Sequence, residues 1–108
     1  KVVLVHHKGA KSGIERVNPL AYLEAGDNIA VFATNGGRNT NPDWYYNLVA
    51  NPGTFVELGT ETFPVRARVA SGQERAEIWD AQKVDSPMFA EFEKTTPREI
   101  PVVILERI

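Results

Sequence analysis

The densest concentration of reactive side chains lies in Lys8 to Leu23, KGAKSGIERVNPLAYL, where two lysines, two glycines and a serine share one turn and an arginine follows on a strand-like run. Lys8-Gly9-Ala10-Lys11-Ser12-Gly13 offers backbone N–H groups made available by glycine, one hydroxyl and two ammonium groups, the inventory that cradles a phosphate or carboxylate. Strand alternation from Arg16 to Leu23 sets Arg16, Asn18, Leu20 and Tyr22 on one face and Val17, Pro19, Ala21 and Leu23 on the other. Arg16 can then fork onto the anion that the turn would hold. The same spacing also suits a basic hairpin whose charges are simply solvated.

A second candidate site follows in Thr34 to Pro42, a polar loop rich in glycine and asparagine. It leads into a helix expected over Pro42 to Ala50, with Asn41 as N-cap and Pro42 at the first helical position. Leu48 and Val49 read as core. Trp44 and Tyr45, in the first turn at the positive end of the helix, read either as core or as aromatic walls for a planar ligand. His6 and His7 point to opposite faces of a strand and cannot ligate one metal together, so each reads as structural or superficial.

The elements around these sites are short. Val2 to His6 forms a first, buried strand. Glu15 to Glu24 forms a second, whose Pro19 asks for an edge or bulge. Ile29 to Ala33 forms a wholly apolar third, Thr54 to Leu58 a fourth, and Glu61 to Ala70 a fifth with Phe63, Val65, Ala67 and Val69 inward and Arg66 and Arg68 outward. Ser71 and Glu74 form a capping box that opens a helix over Ser71 to Val84, with Ile78, Trp79 and Gln82 on one side. A short helix from Ser86-Pro87 carries Met88, Phe89 and Phe92 on one face, and Val102 to Leu105 closes the sheet. This order predicts an α+β chain built as a small closed or split barrel of six strands, with a helix after strand three and a helical pair before the last strand.

Composition narrows the function classes. The chain has 108 residues, enough for one domain, and is 43% hydrophobic and 24% charged, as ordinary globular proteins are. The absence of cysteine excludes disulfides, thiolate catalysis and cysteine-held metal, and suits a reducing cytosol. Residues 1–50 carry five basic and four acidic side chains, and the remainder seven and ten. Positive charge is therefore local to Lys8–Arg16, which fits a small anionic ligand better than nucleic acid. No apolar run is long enough to span a membrane. Because Lys1 opens directly on Val2-Val3-Leu4-Val5, a segment of the natural protein is expected upstream, and membrane association through it stays open beside a cytoplasmic location.

The element order, together with KGAKSGIERVNPLAYL, ATNGGRNTNPDWYYNLVANP and REIPVVILE, resembles the deazaflavin-dependent nitroreductase family. These are split β-barrel proteins that use coenzyme F420 and are related to a larger FMN-binding group. The resemblance runs over essentially the whole chain. It implies a six-stranded antiparallel split β-barrel and F420 in preference to FMN. It implies coenzyme contacts from Ala10, Lys11 and Ser12; from Arg16, Val17, Asn18, Pro19, Leu20 and Ala21; from Phe32, Ala33, Thr34 and Asn35; from Asp43, Trp44, Tyr45, Tyr46 and Asn47; and from Phe89. The implied activity is hydride transfer from reduced F420 to a conjugated acceptor: a quinone, an unsaturated lactone or other enone, or a nitroaromatic. A non-catalytic F420 or FMN carrier of the same fold is the alternative. Where the best-known members place tyrosines around the acceptor, this chain has Ala21, Ser86, Phe89 and Phe92, which implies an apolar acceptor pocket with Ser86 as its one proton-bearing group. The sequence names no partner protein and sets no oligomeric state.

Overall fold

The computed structural model describes residues 1–108. Its strands are β1 (Val2–Lys8), β2 (Glu15–Ala25), β3 (Asn28–Phe32), β4 (Gly53–Leu58), β5 (Glu61–Val69) and β6 (Val102–Arg107), with helices α1 (Asp43–Ala50), α2 (Gly72–Asp85) and α3 (Met88–Thr95). The strands close into an antiparallel barrel in the order β1-β2-β3-β6-β5-β4, the predicted six-stranded α+β architecture. No helix is long and apolar enough to cross a membrane.

Alternation explains the barrel's layers. Along β1, Val3, Val5 and His7 are buried while Val2, Leu4 and Lys8 are exposed. One cluster fills the interior from Val3, Val5, Ile29, Val31, Val56, Val65, Val103 and Leu105, and α1 joins it through Trp44 and Leu48. A second cluster lies on the outer face of β3 and β6, where Ala30, Phe32, Val102 and Ile104 meet Trp79 of α2 and Phe89 of α3. Because β3 and β6 are covered on both faces, their sequences are continuous apolar runs rather than alternating ones. Phe89 stacks edge-on against Phe32, Trp79 and Phe92, and the Trp79 indole N–H donates to the Glu93 carboxylate.

The barrel is split at β2. Residues Glu15 to Ala21 pair with β1, but β3 pairs with β2 only from Tyr22 to Ala25. Pro19 therefore has an unpaired edge on one side although its strand is internal to the sheet order, so the expectation of an edge holds locally. Beyond Phe32 the chain leaves β2 altogether and turns through a single 3-10 turn at Asn35–Gly37.

Several local expectations are corrected. α1 begins at Asp43 with Pro42 as N-cap, because the Asn41 side chain accepts a hydrogen bond from Arg98 instead of capping the helix. Ser71 is the N-cap of α2 as expected but makes no side-chain cap bond, and Glu74 turns away to take the fork of Arg68 at 2.6 and 2.8 Å. Val69 (44% exposed) and Met88 (59% exposed) lie at the surface, since β5 runs past the edge of the core at its end and Met88 sits on the outer side of α3.

Candidate functional site

The β1–β2 connection is a compact turn whose hydrogen bonds leave donors to spare. Gly9 N–H donates to Ile14 O at 2.9 Å, Gly13 N–H to Gly9 O at 2.9 Å, and Ile14 N–H to Ser12 Oγ at 3.2 Å. A Cβ on Gly9 would lie 2.3 Å from Ser12 Oγ, so a larger residue there would push that hydroxyl away from Ile14 N–H. The N–H groups of Lys11 and Ser12 bond to nothing within the protein. They open on a concavity of about 550 Å³ lined by the turn together with Arg16, Asp43, Tyr46 and Asn47. No ion pair engages Lys8, Lys11 or Arg16. Cations left unneutralised beside free N–H groups are what an anion needs.

A buried polar chain supports this turn from below. Ala10 N–H donates to Asn47 Oδ1 at 2.9 Å, Asn47 Nδ2 donates to His7 Nδ1 at 3.1 Å, and His7 Nε2–H donates to Asn18 Oδ1 at 2.6 Å. His7 and Asn47 are 4% and 7% exposed, so the pairing of all their polar atoms is energetically required. The chain ties α1, β1, β2 and the turn together, and its members also form part of the site's lining. Ala10 thus spends its N–H internally, and the donors left to a ligand are those of Lys11 and Ser12. His6, on the other face, donates to Glu57 at 2.6 Å and stacks on Phe55, a separate surface arrangement.

The second half of the site is the segment after β3. Ala33 N–H bonds to Pro101 O at 3.0 Å, which anchors the start of the loop to the strand-six side. Thr34 is right-handed helical (φ −71°, ψ −33°), and Asn35 is the only non-glycine residue at positive φ (51°). A right-handed residue followed by a left-handed one turns successive N–H groups toward a common point. The N–H groups of Thr34, Asn35 and Gly36 have no partner in the protein. Asn35 Nδ2 holds the turn by donating to Thr40 O at 3.0 Å. Arg98 grips it from behind, donating to Arg38 O and Asn41 Oδ1 and, at 3.0 Å each, to Ala33 O and Thr34 O. Burial without a carboxylate partner lowers the Arg98 pKa from its usual value, and a guanidinium stays charged nonetheless. A concavity of about 430 Å³ opens between this loop and β2, bounded by His7, Arg16 and Asn18 on one side and Asn35, Arg38, Thr40 and Asn41 on the other. Arg16 and Asp43 border both concavities, so the two adjoin, and we take them together as the groove.

The predicted site residues fall into three groups. Lys11, Ser12, Arg16, Asn18, Asn35, Asp43, Tyr46 and Asn47 come together in the groove, with Tyr46 half exposed. Val17, Pro19 and Ala21 face outward, paired with His6, Leu4 and Val2, and they offer the groove only their unpaired strand edge. Leu20 packs against the interior cluster, as does Tyr45, and Trp44, 5% exposed, is core with an edge on the groove, so the aromatic-wall reading of Trp44 and Tyr45 gives way to packing. Phe32, Ala33 and Phe89 are likewise buried, and their side chains hold the loop and helices rather than open space. Ser86 sits at the α2–α3 junction, its hydroxyl free of hydrogen bonds, and Phe92 touches the loop at Gly37. Ala21, itself exposed, shares its strand face with Leu23 and Ala25, which, like Phe92, pack on the second cluster that includes Phe89. Sequence reasoning gave no site role to Arg38, Asn41 or Arg98, and read His7 as structural or superficial, of which the structural reading fits its buried hydrogen bonds. The parity of His7 with Val3 and Val5 was a usable signal, and Arg98 opens the third motif.

A sequence profile of the F420H(2)-dependent quinone reductase family matches residues 1–107. The chain belongs to that family. A Mycobacterium tuberculosis protein that carries the same family name provisionally is 42% identical over 106 residues, covering 95% of this chain and 87% of that one. A solved structure described as an F420-H2 dependent reductase superposes with a TM-score of 0.88 at 39% identity, covering 97% of this chain and 93% of the other. The haem storage protein HutZ of Vibrio cholerae superposes with a TM-score of 0.76 at 12% identity, covering 100% and 82%, and shows the shared split-barrel fold alone. Coenzyme F420 is the family's cofactor, and the reduction of quinones its named activity.

Proposed function

We propose that this chain binds reduced F420 in the groove and reduces quinones and other apolar conjugated acceptors, such as unsaturated lactones, by hydride transfer. The observation that carries the reading is the match between ligand and donors. F420 joins a flat three-ring head, whose edge carries carbonyl oxygens, to a tail with a phosphodiester and glutamate. The tail needs cations and N–H groups, and the turn has Lys11, Arg16 and the free N–H groups of Lys11 and Ser12. The head needs donors for its oxygens, and the loop has the free N–H groups of Thr34, Asn35 and Gly36.

When bound, the coenzyme supplies the hydride. The residues of this chain position it and shape what it meets. Lys11 and Arg16 hold the tail, and the unpaired edge of β2 from Val17 to Ala21 borders the head. The acceptor lies on the side of Ala21, Ser86 and Phe92, where few groups hydrogen-bond. Reduction of a quinone to its hydroquinone takes one hydride and one proton, and the unbonded Ser86 hydroxyl or solvent delivers the proton. Such a surface favours greasy acceptors over polar nitro compounds.

The test mixes the protein with reduced F420 and menadione and follows oxidation of the coenzyme, alongside a coumarin-type lactone and a nitroaromatic. Tight F420 binding with no turnover of any acceptor would replace the enzyme with a coenzyme carrier.

A further inference from the structure

The Arg98 guanidinium spends its hydrogen bonds on one loop. Nε donates to Arg38 O at 3.0 Å, Nη1 to Asn41 Oδ1 at 2.6 Å, and Nη2 to both Ala33 O and Thr34 O at 3.0 Å. A half-buried arginine ordinarily meets a carboxylate or water, but Arg98 pairs with no acid, and neighbouring Glu99 bridges to Arg75 instead. An interaction of this kind sets geometry. A trans peptide is planar, with its C=O and N–H antiparallel. When Arg98 pulls the oxygens of Ala33 and Thr34 toward itself, the N–H groups of Thr34 and Asn35 are driven the opposite way. Those two N–H groups, like that of Gly36, have no partner in the protein, and Asn35 bears the positive φ that brings them together. A fixed positive charge behind the two carbonyls also polarises both peptides and strengthens their N–H groups as donors.

We infer that Arg98 is a positioning residue that aims and strengthens the Thr34 and Asn35 N–H groups toward an electron-rich oxygen of a flat heterocyclic head, and so governs affinity for the head independently of the tail. This rests on the reading of the groove as the F420 site. Lys11 and Arg16 govern the tail. The two controls separate along the ligand, which makes the inference testable without turnover.

The experiment titrates oxidised F420 and its riboside, the same deazaflavin lacking phosphate and glutamate, into wild type, Arg98→Gln and Arg16→Ala, and reads Kd by fluorescence. Arg98→Gln is expected to weaken both ligands by the same factor, about tenfold, the scale for losing charge-supported hydrogen bonds. Arg16→Ala is expected to weaken F420 alone. In wild type, the amide resonances of Thr34 and Asn35 shift on riboside addition, and in Arg98→Gln saturated with riboside those shifts are smaller. Should Arg98→Gln fail to fold, Arg98→Lys carries the test, since one ammonium cannot span the Ala33 and Thr34 carbonyls and Asn41 together. Wild-type riboside binding by either folded variant overturns the inference while leaving the F420 site standing. If wild type binds neither ligand, the site itself fails, and the role of Arg98 with it.

Discussion

Replacing Asn47 with leucine should show how much the buried polar chain contributes. Leucine keeps the branched outline of asparagine with bulkier ends, so no cavity opens at this 7% exposed position and any repacking strain adds to the cost. Two hydrogen bonds vanish, from Ala10 N–H at 2.9 Å and to His7 Nδ1 at 3.1 Å. Ala10 is exposed and its N–H turns to water, a net loss of about 0.5–1.5 kcal/mol. His7 is 4% exposed, and its Nδ1 is stranded without a donor, which costs about 1–3 kcal/mol. The sum, roughly 1.5–4.5 kcal/mol, is a large part of the stability of a domain this size. Urea unfolding should show a lower midpoint at unchanged m-value. In the double variant His7→Leu, Asn47→Leu the stranded acceptor is gone, so its cost should fall below the sum of the two single costs. F420 affinity should drop as well, because the turn loses its tether. Asn47→Leu stability within about 0.5 kcal/mol of wild type would refute the reasoning, since changes that small are typical of unconnected surface positions.

Lys11→Ala and Arg16→Ala are each expected to weaken F420 binding by about 1–3 kcal/mol by calorimetry, and unchanged affinity in both would remove the proposed anion seat. Gly37→Ala puts a Cβ 2.6 Å from Thr95 Oγ1 and 3.2 Å from Phe92 at a φ of +84°, so it should lower the melting temperature and the turnover of large acceptors together, and a variant with wild-type values of both would show the loop–α3 contact to be slack. The Arg68 fork holds the Glu74 carboxyl below its ordinary range. The unfolded chain therefore takes up this proton first, so the pair's contribution is present above the unfolded pKa and lost as pH falls through the folded one. An NMR titration should find the depressed midpoint in wild type and the ordinary value in Arg68→Gln, and equal midpoints would show that the ion pair does not persist in water.

Much of this was legible because periodicity reports burial directly. The alternation in β1, the two-face apolar runs of β3 and β6, and the glycine-rich turn all carry local signals that the fold obeys. The two capping errors share one cause, competition from a side chain outside the cap. Asn41 has the chemistry of an N-cap but is claimed by Arg98, 57 residues away, and Glu74 has the chemistry of a capping box but is claimed by Arg68. Pro19 asks for an edge, and the split supplies one inside a closed sheet order, which no window of neighbouring residues could reveal. Trp44 looks like a ligand wall because it opens a helix beside a glycine-rich loop. It is core because the barrel end needs its volume. Arg98 escaped notice because it acts through groups that lie far off along the chain.

The anchoring of the Thr34–Gly36 segment to strands covered on both faces gives the groove two unequal jaws. One jaw grows from the most deeply packed part of the molecule, with Ala33 bonded to Pro101 and Arg98 braced behind it. The other is a turn of exposed residues tethered through Ala10 to a single asparagine. On the proposed reading, a ligand entering such a clamp would meet a fixed anvil and a less tethered finger, so the freedom lost on closure would fall on the side that grips charge, and the redox ring would settle against a surface already in place.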